Sequence, residues 1–269
     1  MKKTIGFIGA GNMGGAIIKG IIASGIDAEN VIVYDKNTDA QKALCDECGA
    51  TNAKGIKDAC LQNVVILAVK PNVIYSVIEE IKDTINKDAV IISIAAGQSV
   101  EKLTNAFGYG KIKLARVMPN TPALVGEGMS AVCFNEVMQR DENKEDAAFV
   151  VSLFEAIGKA EIVNEVLIDA VTGVSGSSPA YVFMLIEAMA DAAVLGGMPR
   201  AQAYTFAAQA VLGSAKMVLE GDKHPGELKD MVCSPGGTTI EAVKVLEEKG
   251  FRSAVMDAIE ACIKKSKSM

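Results

Sequence analysis

The sequence predicts an α/β fold, in which an N-terminal doubly wound, mainly parallel sheet is followed by a second domain made of helices alone. A glycine-rich turn follows an apolar segment close to the N-terminus, and apolar strands then alternate with helices up to about residue 164. No convincing strand pattern follows that residue. Alternating strands and helices are typical of parallel sheets that carry helices on both faces. We therefore place a domain boundary at residue 164, between segments 1–164 and 165–269.

The glycine-rich turn is Gly9-Ala10-Gly11-Asn12-Met13-Gly14, and it joins a predicted strand to a predicted helix. In this context the first glycine permits the turn, the second lets the backbone approach a pyrophosphate, and the third lets helix and strand pack closely. The unpaired N–H groups at the start of the helix then bind the diphosphate. We interpret residues 1–164 as a Rossmann-type dinucleotide-binding domain, and the alternative is a glycine turn with a structural role only.

Hydrophobic patterns predict the other elements of the first domain. Val64–Val69 and Ala89–Ile94 are apolar on both faces, as strands in the interior of a parallel sheet require. The predicted strands are 31–35, 64–69, 89–94, 112–118, 129–134 and 160–163, and the predicted helices are 12–25, 39–48, 72–81 and about 140–157.

The second domain, residues 165–269, contains an unusually apolar helix. Val182–Leu195 is hydrophobic on nearly every side and is interrupted mainly by Glu187 and Asp191. A helix of this kind is buried on every side, and roughly 105 residues can hardly enclose it alone. We therefore expect an all-helical dimerisation and substrate-binding domain, and a homodimer at least, or a higher oligomer of dimers.

Composition excludes several classes of function. The net charge of −6 argues against binding to nucleic acid, and no uninterrupted apolar stretch reaches the length of a membrane span. Six scattered cysteines favour reduced thiols in a cytoplasmic protein. Cys45 and Cys48 form an incomplete zinc motif, and the single histidine, His224, lies in a segment typical of a turn or helix start. We expect no metal site, and a bound cofactor is the natural source of the chemistry.

Ligands of doubly wound sheets bind beyond the carboxyl ends of the strands. Beside the glycine turn, three loops lie at such ends, although each can also be an ordinary turn. They supply the candidate cofactor-binding residues Ala68, Val69, Lys70, Pro71, Ala95, Ala96, Gly97 and Asn120.

Asp35 ends the second predicted strand and bears on the choice of cofactor. An acid at this position accepts hydrogen bonds from an adenosine ribose and repels a 2′-phosphate, which favours NADH. Lys36 and Asn37 offer donors to a phosphate and favour NADPH. The sequence leaves NADH and NADPH as open alternatives.

A polar loop in the second domain, Cys233–Glu241, contains two glycines and three hydroxyl side chains before an amphipathic helix. Thr238 and Glu241 have the spacing of a capping box, so a simple helix cap is one interpretation. The Gly-Gly pair favours another interpretation, in which free backbone N–H groups bind a small carboxylate. A second polar segment precedes the apolar helix, with Ser178 placed to cap it and Pro179 at its first position.

Together these motifs resemble those of the pyrroline-5-carboxylate reductase family, over nearly the whole chain. The most specific are His224–Asp230 and Ser234–Ile240. One departure is Ser178, where the family pattern usually has glycine, and we expect no effect on the reaction. The other matching segments are Phe7–Gly14, Ala68–Pro71, Arg116–Pro122 and Ser175–Tyr181.

The resemblance implies hydride transfer from NADPH or NADH to the C=N carbon of 1-pyrroline-5-carboxylate, which gives L-proline. It implies that the backbone N–H groups of Ser234, Gly237 and Thr238, in a loop with Gly236, hold the substrate carboxylate. The Thr239 hydroxyl, as the catalytic group, would bind the ring nitrogen. It also implies that this loop completes the cofactor site of the other subunit.

Two alternatives stay open at this point. One is a different imine or β-hydroxyacid reductase of the same architecture, but the β-hydroxyacid enzymes generally use a lysine that segment 181–195 lacks. The other is a regulatory protein that binds NAD(P)H without turnover, against which the intact loop Ser234–Thr239 argues.

Overall fold

The computed structural model describes residues 3–108 and 111–268 and forms two compact units. The first unit, called the sheet unit here, comprises Met1–Gly176 and Ile263–Met269, and the second, the helical unit, comprises Ser177–Cys262. The domain boundary expected at residue 164 precedes the end of the sheet unit by one irregular helical segment, because Ile168 packs against Ala131 and Cys133 of the sheet. That boundary stays a prediction about how the chain divides in folding and function.

The sheet unit is built on eight strands in the order β3-β2-β1-β4-β5-β6-β7-β8. All neighbouring pairs are parallel except β6 and β7, so the predicted doubly wound, mainly parallel sheet is confirmed. The strands are β1 (Ile5–Ile8), β2 (Val31–Tyr34), β3 (Thr51–Asn52), β4 (Val64–Leu67), β5 (Val90–Ser93), β6 (Lys113–Met118), β7 (Gly128–Phe134) and β8 (Gly158–Ile162).

Seven helices cover the two faces of this sheet within the described residues. Side chains of α1, α2 and α6 form one buried cluster with the strands, and those of α3, α4 and α5 form another on the opposite face. The helices are α1 (Asn12–Ala23), α2 (Thr38–Cys48), α3 (Ile56–Cys60), α4 (Ile74–Ile81), α5 (Val100–Phe107), α6 (Lys144–Glu155) and α7 (Ile168–Val171), followed by a π-helical turn over Thr172–Gly176.

The predicted elements are present with shifted ends. The strands expected at 64–69 and 89–94 are β4 and β5, which end sooner because the backbone turns at the edge of the sheet. The sequence analysis missed β3 and α3, which are too short for their hydrophobic periodicity to be recognised. It also missed α5, which is as long as α4.

The helical unit has no strand among its described residues. In the isolated chain, Phe183, Met184 and Leu195 of the predicted apolar helix are 63%, 68% and 91% exposed, and Ala190 is its one buried residue. Exposed apolar surface of this kind is typical of an interaction site. The helices are α8 (Ser178–Leu195), α9 (Arg200–Glu220), α10 (Pro225–Val232), α11 (Thr238–Glu248) and α12 (Phe251–Lys267), the last of which continues into the sheet unit.

By length and composition alone, the helical stretch Glu165–Leu195 is long and apolar enough to cross a membrane. The expectation concerned uninterrupted apolar runs, and Glu187 and Asp191 interrupt this one. A single helix of this kind is weak support for a membrane span, since helices buried in soluble proteins or interfaces have the same character.

Two predicted helix caps are not formed. Ser177 occupies the N-cap position of α8, and Gly237 occupies that of α11. Neither residue makes a side-chain hydrogen bond to the start of its helix. Ser178 and Thr238 are instead the first residues of their helices. The capping-box pattern at Thr238 was misleading because the preceding turn fixes where the helix begins.

Asp146 of α6 joins two other parts of the sheet unit. Its carboxylate lies 2.6 Å from both Lys3 Nζ and Lys113 Nζ. Burial opposes its ionisation, but hydrogen bonds from Lys113 and Lys3 outweigh burial and lower the pKa of Asp146. A lowered pKa means that this carboxylate stabilises the fold above its unfolded pKa, about 3.9, and that the stabilisation is lost as the pH falls through the folded value.

We predict that Asp146→Asn lowers the free energy of unfolding by about 1 kcal/mol at pH 7, because two ammonium groups lose their shared partner. The difference from the unmodified protein should shrink below about pH 4, as measured by urea unfolding. The matched control is Asp141→Asn, since Asp141 forms an exposed pair with Lys144 at 2.8 Å and its loss should matter little. Equal effects of both substitutions would contradict the prediction.

Candidate functional site

The register of the sheet places the predicted cofactor-binding segments along one edge. Ile8 pairs with Tyr34 and Leu67, and Leu67 pairs with Ser93, so β1, β2, β4 and β5 end at the same level. The turns that follow these strands are therefore neighbours. They contain the predicted residues 9–14, 35–37, 68–71 and 95–97.

The first and third glycines of the turn are required by close backbone packing. Gly9 has φ +114°, and its N–H donates to the Tyr34 carbonyl at 2.8 Å. A Cβ atom on Gly9 would lie 2.4 Å from the carbonyl oxygen of Ala68, and one on Gly14 would lie 2.6 Å from the carbonyl oxygen of Gly9. A side chain on Gly9 would displace the Ala68 loop, and one on Gly14 would push α1 away from the glycine turn.

Gly11 has a different environment. A Cβ atom there would meet no atom within 4 Å, so the backbone borders open space. Gly11 precedes α1 without a side-chain cap, and the first helical bond runs from the Gly15 N–H to its carbonyl at 2.8 Å. The first N–H groups of α1, including those of Asn12 and Met13, are left for a ligand. A cavity of 520 Å³ that borders Gly11 and Asn12 extends along α1 to Ala23, away from the other turns at this edge. The uncapped helix start itself is of the kind that binds a diphosphate.

Asp35 is fixed by hydrogen bonds to the glycine turn. One carboxylate oxygen accepts the Ala10 N–H at 2.6 Å, and the other accepts the Asn37 N–H at 2.7 Å. Its own N–H donates to Gln41 Oε1 at 2.8 Å. The carboxylate therefore positions the turn, while Lys36 beside it is exposed, so both groups relevant to the ribose lie at this edge.

Gln41 was missed by the sequence analysis although it orders this region. Its side chain is buried, and its amide nitrogen also donates to Asn52 Oδ1 and to the Ala53 carbonyl, in the latter case at 2.8 Å. No local sequence pattern predicts this role of Gln41, because its acceptors belong to Asn52 and Ala53, which follow helix α2.

The loops after β4 and β5 supply small or exposed residues to the same edge. The Ala68 N–H donates to the Ile8 carbonyl at 2.8 Å, and Val69 and Lys70 then lead to a short 3₁₀ helix that begins at Pro71. Lys70 is exposed. After β5, Ala95 is buried, Ala96 is partly exposed, and Gly97 adopts φ +72°.

Asn120, predicted to contact the cofactor, has a structural role in the loop after β6. Its Nδ2 donates to the Ser175 carbonyl at 3.1 Å and to the Ser175 hydroxyl at 3.2 Å, and its Oδ1 accepts the Met129 N–H at 2.8 Å. The side chain therefore fastens the loop to the π-helical turn, and its role towards the cofactor stays a prediction.

In the helical unit, residues Ser234–Gly237 form a tight turn. The Gly237 N–H donates to the Ser234 carbonyl at 3.0 Å, and Gly236 has φ +68°. Pro235 precedes that glycine, as is typical of a type II turn. The positive φ of Gly236 favours glycine there, whereas a Cβ atom on Gly237 would lie 2.4 Å from Ser234 Oγ, a side-chain atom that can rotate away.

Helix α11 begins directly after this turn and has no side-chain cap. Because α11 begins at Thr238 without a side-chain cap, the N–H groups of Thr238 and Thr239 have no intrahelical acceptor. Of the three N–H groups predicted to bind a carboxylate, that of Gly237 is already used within the turn, which leaves those of Ser234 and Thr238. The Thr239 hydroxyl is partly buried and makes no hydrogen bond within the described part of the chain.

The Ser175–Tyr181 segment contains a small polar cluster. Ser177 Oγ lies 3.1 Å from Cys262 Sγ. Partial burial, together with the neighbouring thiol of Cys262, raises the pKa of Tyr181. Within residues 3–108 and 111–268, no group of three or more His, Cys, Asp or Glu side chains is placed to hold a metal ion.

Comparison with known proteins identifies the family. A family model described as pyrroline-5-carboxylate reductase dimerisation matches residues 165–269, and one described as NADP oxidoreductase, coenzyme F420-dependent, matches residues 4–97. The pyrroline-5-carboxylate reductase of Escherichia coli is 55% identical over 100% of this chain and 99% of its own length. The chain belongs to the pyrroline-5-carboxylate reductase family.

Solved structures of the family agree with this assignment. A pyrroline-5-carboxylate reductase from Coxiella burnetii covers 100% of this chain and 98% of its own, with a TM-score of 0.91 and 34% identity. The Plasmodium falciparum pyrroline carboxylate reductase, solved with NADP bound, covers the same shares of the two chains with a TM-score of 0.85 and 33% identity. The resemblance in sequence and the predicted fold class are thus confirmed.

We predict that two glycine substitutions differ in their effect on stability. Gly14→Ala should lower the melting temperature by several degrees, because its methyl group would overlap the Gly9 carbonyl and force a backbone shift. Gly11→Ala should change the melting temperature by no more than about 2 °C, since its methyl group meets open space. Differential scanning calorimetry of the protein without coenzyme tests both, and equal destabilisation would contradict the proposed packing.

Proposed function

We propose that this chain reduces 1-pyrroline-5-carboxylate to L-proline by hydride transfer from NADPH or NADH, the last step of proline biosynthesis. The observation that carries the proposal is 55% identity over the full chain with a reductase of that name. The loop Ser234–Ile240, the most specific motif of the resemblance, is intact and forms an ordered turn followed by a helix.

The coenzyme, when bound, supplies the hydride. The first N–H groups of α1 hold its diphosphate, because Gly11 leaves the backbone open at that point. Asp35, Lys36 and Asn37 lie where the adenosine ribose binds in such folds. The turns at 68–71, 95–97 and Asn120 line the rest of the same edge.

The substrate carboxylate binds at the start of α11. The N–H groups of Thr238 and Ser234 donate to it, and the positive end of the helix dipole favours its charge. Gly236 and Gly237 give the turn a conformation that exposes these groups. A neutral ligand of the same shape would gain less from this arrangement.

Thr239 positions the ring nitrogen of the substrate. Its hydroxyl is free for a hydrogen bond and lies one residue beyond the carboxylate site. A cyclic imine can enter already protonated, so the reaction requires no strong acid from the protein. This fits a chain whose one histidine, His224, is used to cap a helix.

The active unit is a homodimer in which the turn Ser234–Thr239 of one subunit completes the coenzyme site of the other. Support comes from the exposed apolar side chains of α8 and from the dimerisation family that matches residues 165–269.

We place the enzyme in the cytoplasm, because all six cysteines are free thiols.

The deciding experiment follows nicotinamide absorbance with racemic pyrroline-5-carboxylate and each coenzyme in turn. Oxidation of NADPH or NADH that depends on the imine, with formation of proline, is the expected result. The ratio of kcat/KM for the two coenzymes then gives the preference that Asp35 and Lys36 together set. Absence of turnover with both coenzymes would overturn the proposed function.

We predict that Thr239→Ala lowers kcat about ten- to a hundredfold, as loss of one oriented hydrogen bond of about 1.5–3 kcal/mol would do. Thr239→Ser keeps the hydroxyl and should retain most of the activity. Thr238→Ala is the matched control, because it keeps the backbone N–H and removes an exposed side chain. Steady-state kinetics in which Thr239→Ala matches the unmodified enzyme would refute the role of the hydroxyl.

We also predict that two impaired variants restore activity when their subunits are exchanged. Gly11→Ala weakens the coenzyme site and Thr239→Ala weakens the substrate site. If each site uses parts of both subunits, a mixed dimer has one intact site, so random exchange restores about a quarter of the sites. No gain over the average of the two parent variants would mean that each site lies within one chain.

A further inference from the structure

We propose that the enzyme prefers NADH to NADPH, and that the buried amide of Gln41 sets this preference by holding the Asp35 carboxylate at the ribose end of the coenzyme site. Because Gln41 acts through Asp35, it is a positioning residue. The inference rests on the proposed function, since it assumes that the coenzyme binds at the edge of the sheet where Gly11 and Asp35 lie.

The carboxylate of Asp35 is held by both of its oxygens. Oδ2 accepts the Ala10 N–H at 2.6 Å, and Oδ1 accepts the Asn37 N–H at 2.7 Å. A carboxylate has about four acceptor positions, so Asp35 can still accept a ribose hydroxyl while both backbone bonds persist. It cannot rotate away from a phosphate without breaking these bonds. The negative charge therefore stays beside the glycine turn whichever coenzyme is bound.

Gln41 orients the backbone that carries this carboxylate. It is 4% exposed, and its Oε1 accepts the Asp35 N–H at 2.8 Å. Its Nε2 donates to Asn52 Oδ1 and to the Ala53 carbonyl, the latter at 2.8 Å. Both ends of one buried amide thus connect the end of β2 to β3 and the residue after it. Since a buried polar group that loses its partner is costly, these bonds hold the three segments in one arrangement.

The groups that a 2′-phosphate requires are used elsewhere or missing from this loop. The Asn37 N–H is bound to Asp35, and Asn37 Oδ1 accepts the Ala40 N–H at 3.1 Å, which caps α2. This cap satisfies an N–H group at a helix start, where a phosphate could otherwise bind. An arginine usually accommodates the 2′-phosphate in such folds, and the segment 35–41 contains none.

The charges of the segment 35–41 also oppose a 2′-phosphate. Asp35 and Asp39 are its acidic residues, and Lys36 is its one basic residue. Lys36 and Asp39 are exposed, so water and salt screen their effects, whereas Asp35 is half-buried against the glycine turn. A phosphate monoester carries about 1.5 to 2 negative charges at pH 7. Repulsion from Asp35 is therefore the largest of these effects, and NADH avoids it.

The test measures binding of the adenosine end of each coenzyme, without catalysis. ADP-ribose and 2′-phospho-ADP-ribose lack the nicotinamide, and they differ from each other only in the 2′-phosphate. Their dissociation constants are measured by isothermal titration calorimetry on the whole chain at neutral pH. We expect ADP-ribose to bind at least about fivefold more tightly, which is the size of the repulsion between two close unit charges even in water.

Asp35→Asn tests the charge at the end of β2. The amide keeps an acceptor oxygen for the Ala10 N–H and removes the negative charge. Affinity for 2′-phospho-ADP-ribose should therefore rise, and the difference between the two ligands should shrink to about twofold or less.

Gln41→Met tests the positioning role. Methionine has nearly the length of glutamine but no donor and only a weak acceptor, so Asp35 becomes free to turn towards solvent. The preference for ADP-ribose should then fall by about half or more, because the hydrogen bonds that fix Asp35 are lost. A merely structural defect would weaken both ligands alike and leave the ratio of their dissociation constants unchanged.

The matched control is Gln139→Met. Gln139 is exposed and follows β7 at the opposite edge of the sheet, where its amide donates to the Phe134 carbonyl at 2.9 Å. This variant should keep the ratio of the unmodified protein.

Three results would overturn the inference: equal binding of both ligands or tighter binding of the phosphorylated one by the unmodified protein, full preference in Asp35→Asn, or full preference in a folded Gln41→Met protein. Circular dichroism establishes folding. If Gln41→Met does not fold, Asn52→Ala replaces it, since this substitution removes an acceptor of the amide at an exposed position and should also reduce the preference. Failure of the proposed function is recognised separately, as absence of imine-dependent oxidation of either coenzyme.

Discussion

The structure depends on the approach of two backbones at the turn between β1 and α1. Gly9 and Gly14 let the turn, the helix and the Ala68 loop pack with no space for a Cβ atom. This contact fixes the start of α1 at the level where the parallel strands end, and Asp35 fastens it by accepting the Ala10 N–H. The open backbone at Gly11 is useful only because its two neighbouring glycines hold it at that edge.

The two candidate binding segments share one structural feature, although they lie in different units. Each is an uncapped helix start preceded by a glycine-dependent turn, at Gly11 before α1 and at Gly237 before α11. Leaving these N–H groups without a side-chain cap costs stability in the free protein, and a bound anion regains it. By contrast, the start of α10 has a complete capping box, formed by the side chains of His224 and Glu227.

The exposed apolar side chains of the helical unit favour association with another subunit. Phe183, Met184 and Leu195 lie on a helix that a single chain leaves uncovered, and burial of such surface is the main driving force of stable association. Reduction of an imine also benefits from exclusion of water around the transferred hydride. A subunit interface next to the substrate turn would serve both needs at once.

The sequence by itself determined the parallel sheet, the glycine turn with its flanking strand and helix, and the family, because these features rest on local periodicity and on residues a few positions apart. Only the tertiary structure decided what the side chains of Asn120 and Gln41 contact. Asn120 bonds to Ser175, and Gln41 bonds to Asn52 and Ala53, which belong to other segments of the chain. Such partners are set by packing in three dimensions, which a sequence pattern does not contain.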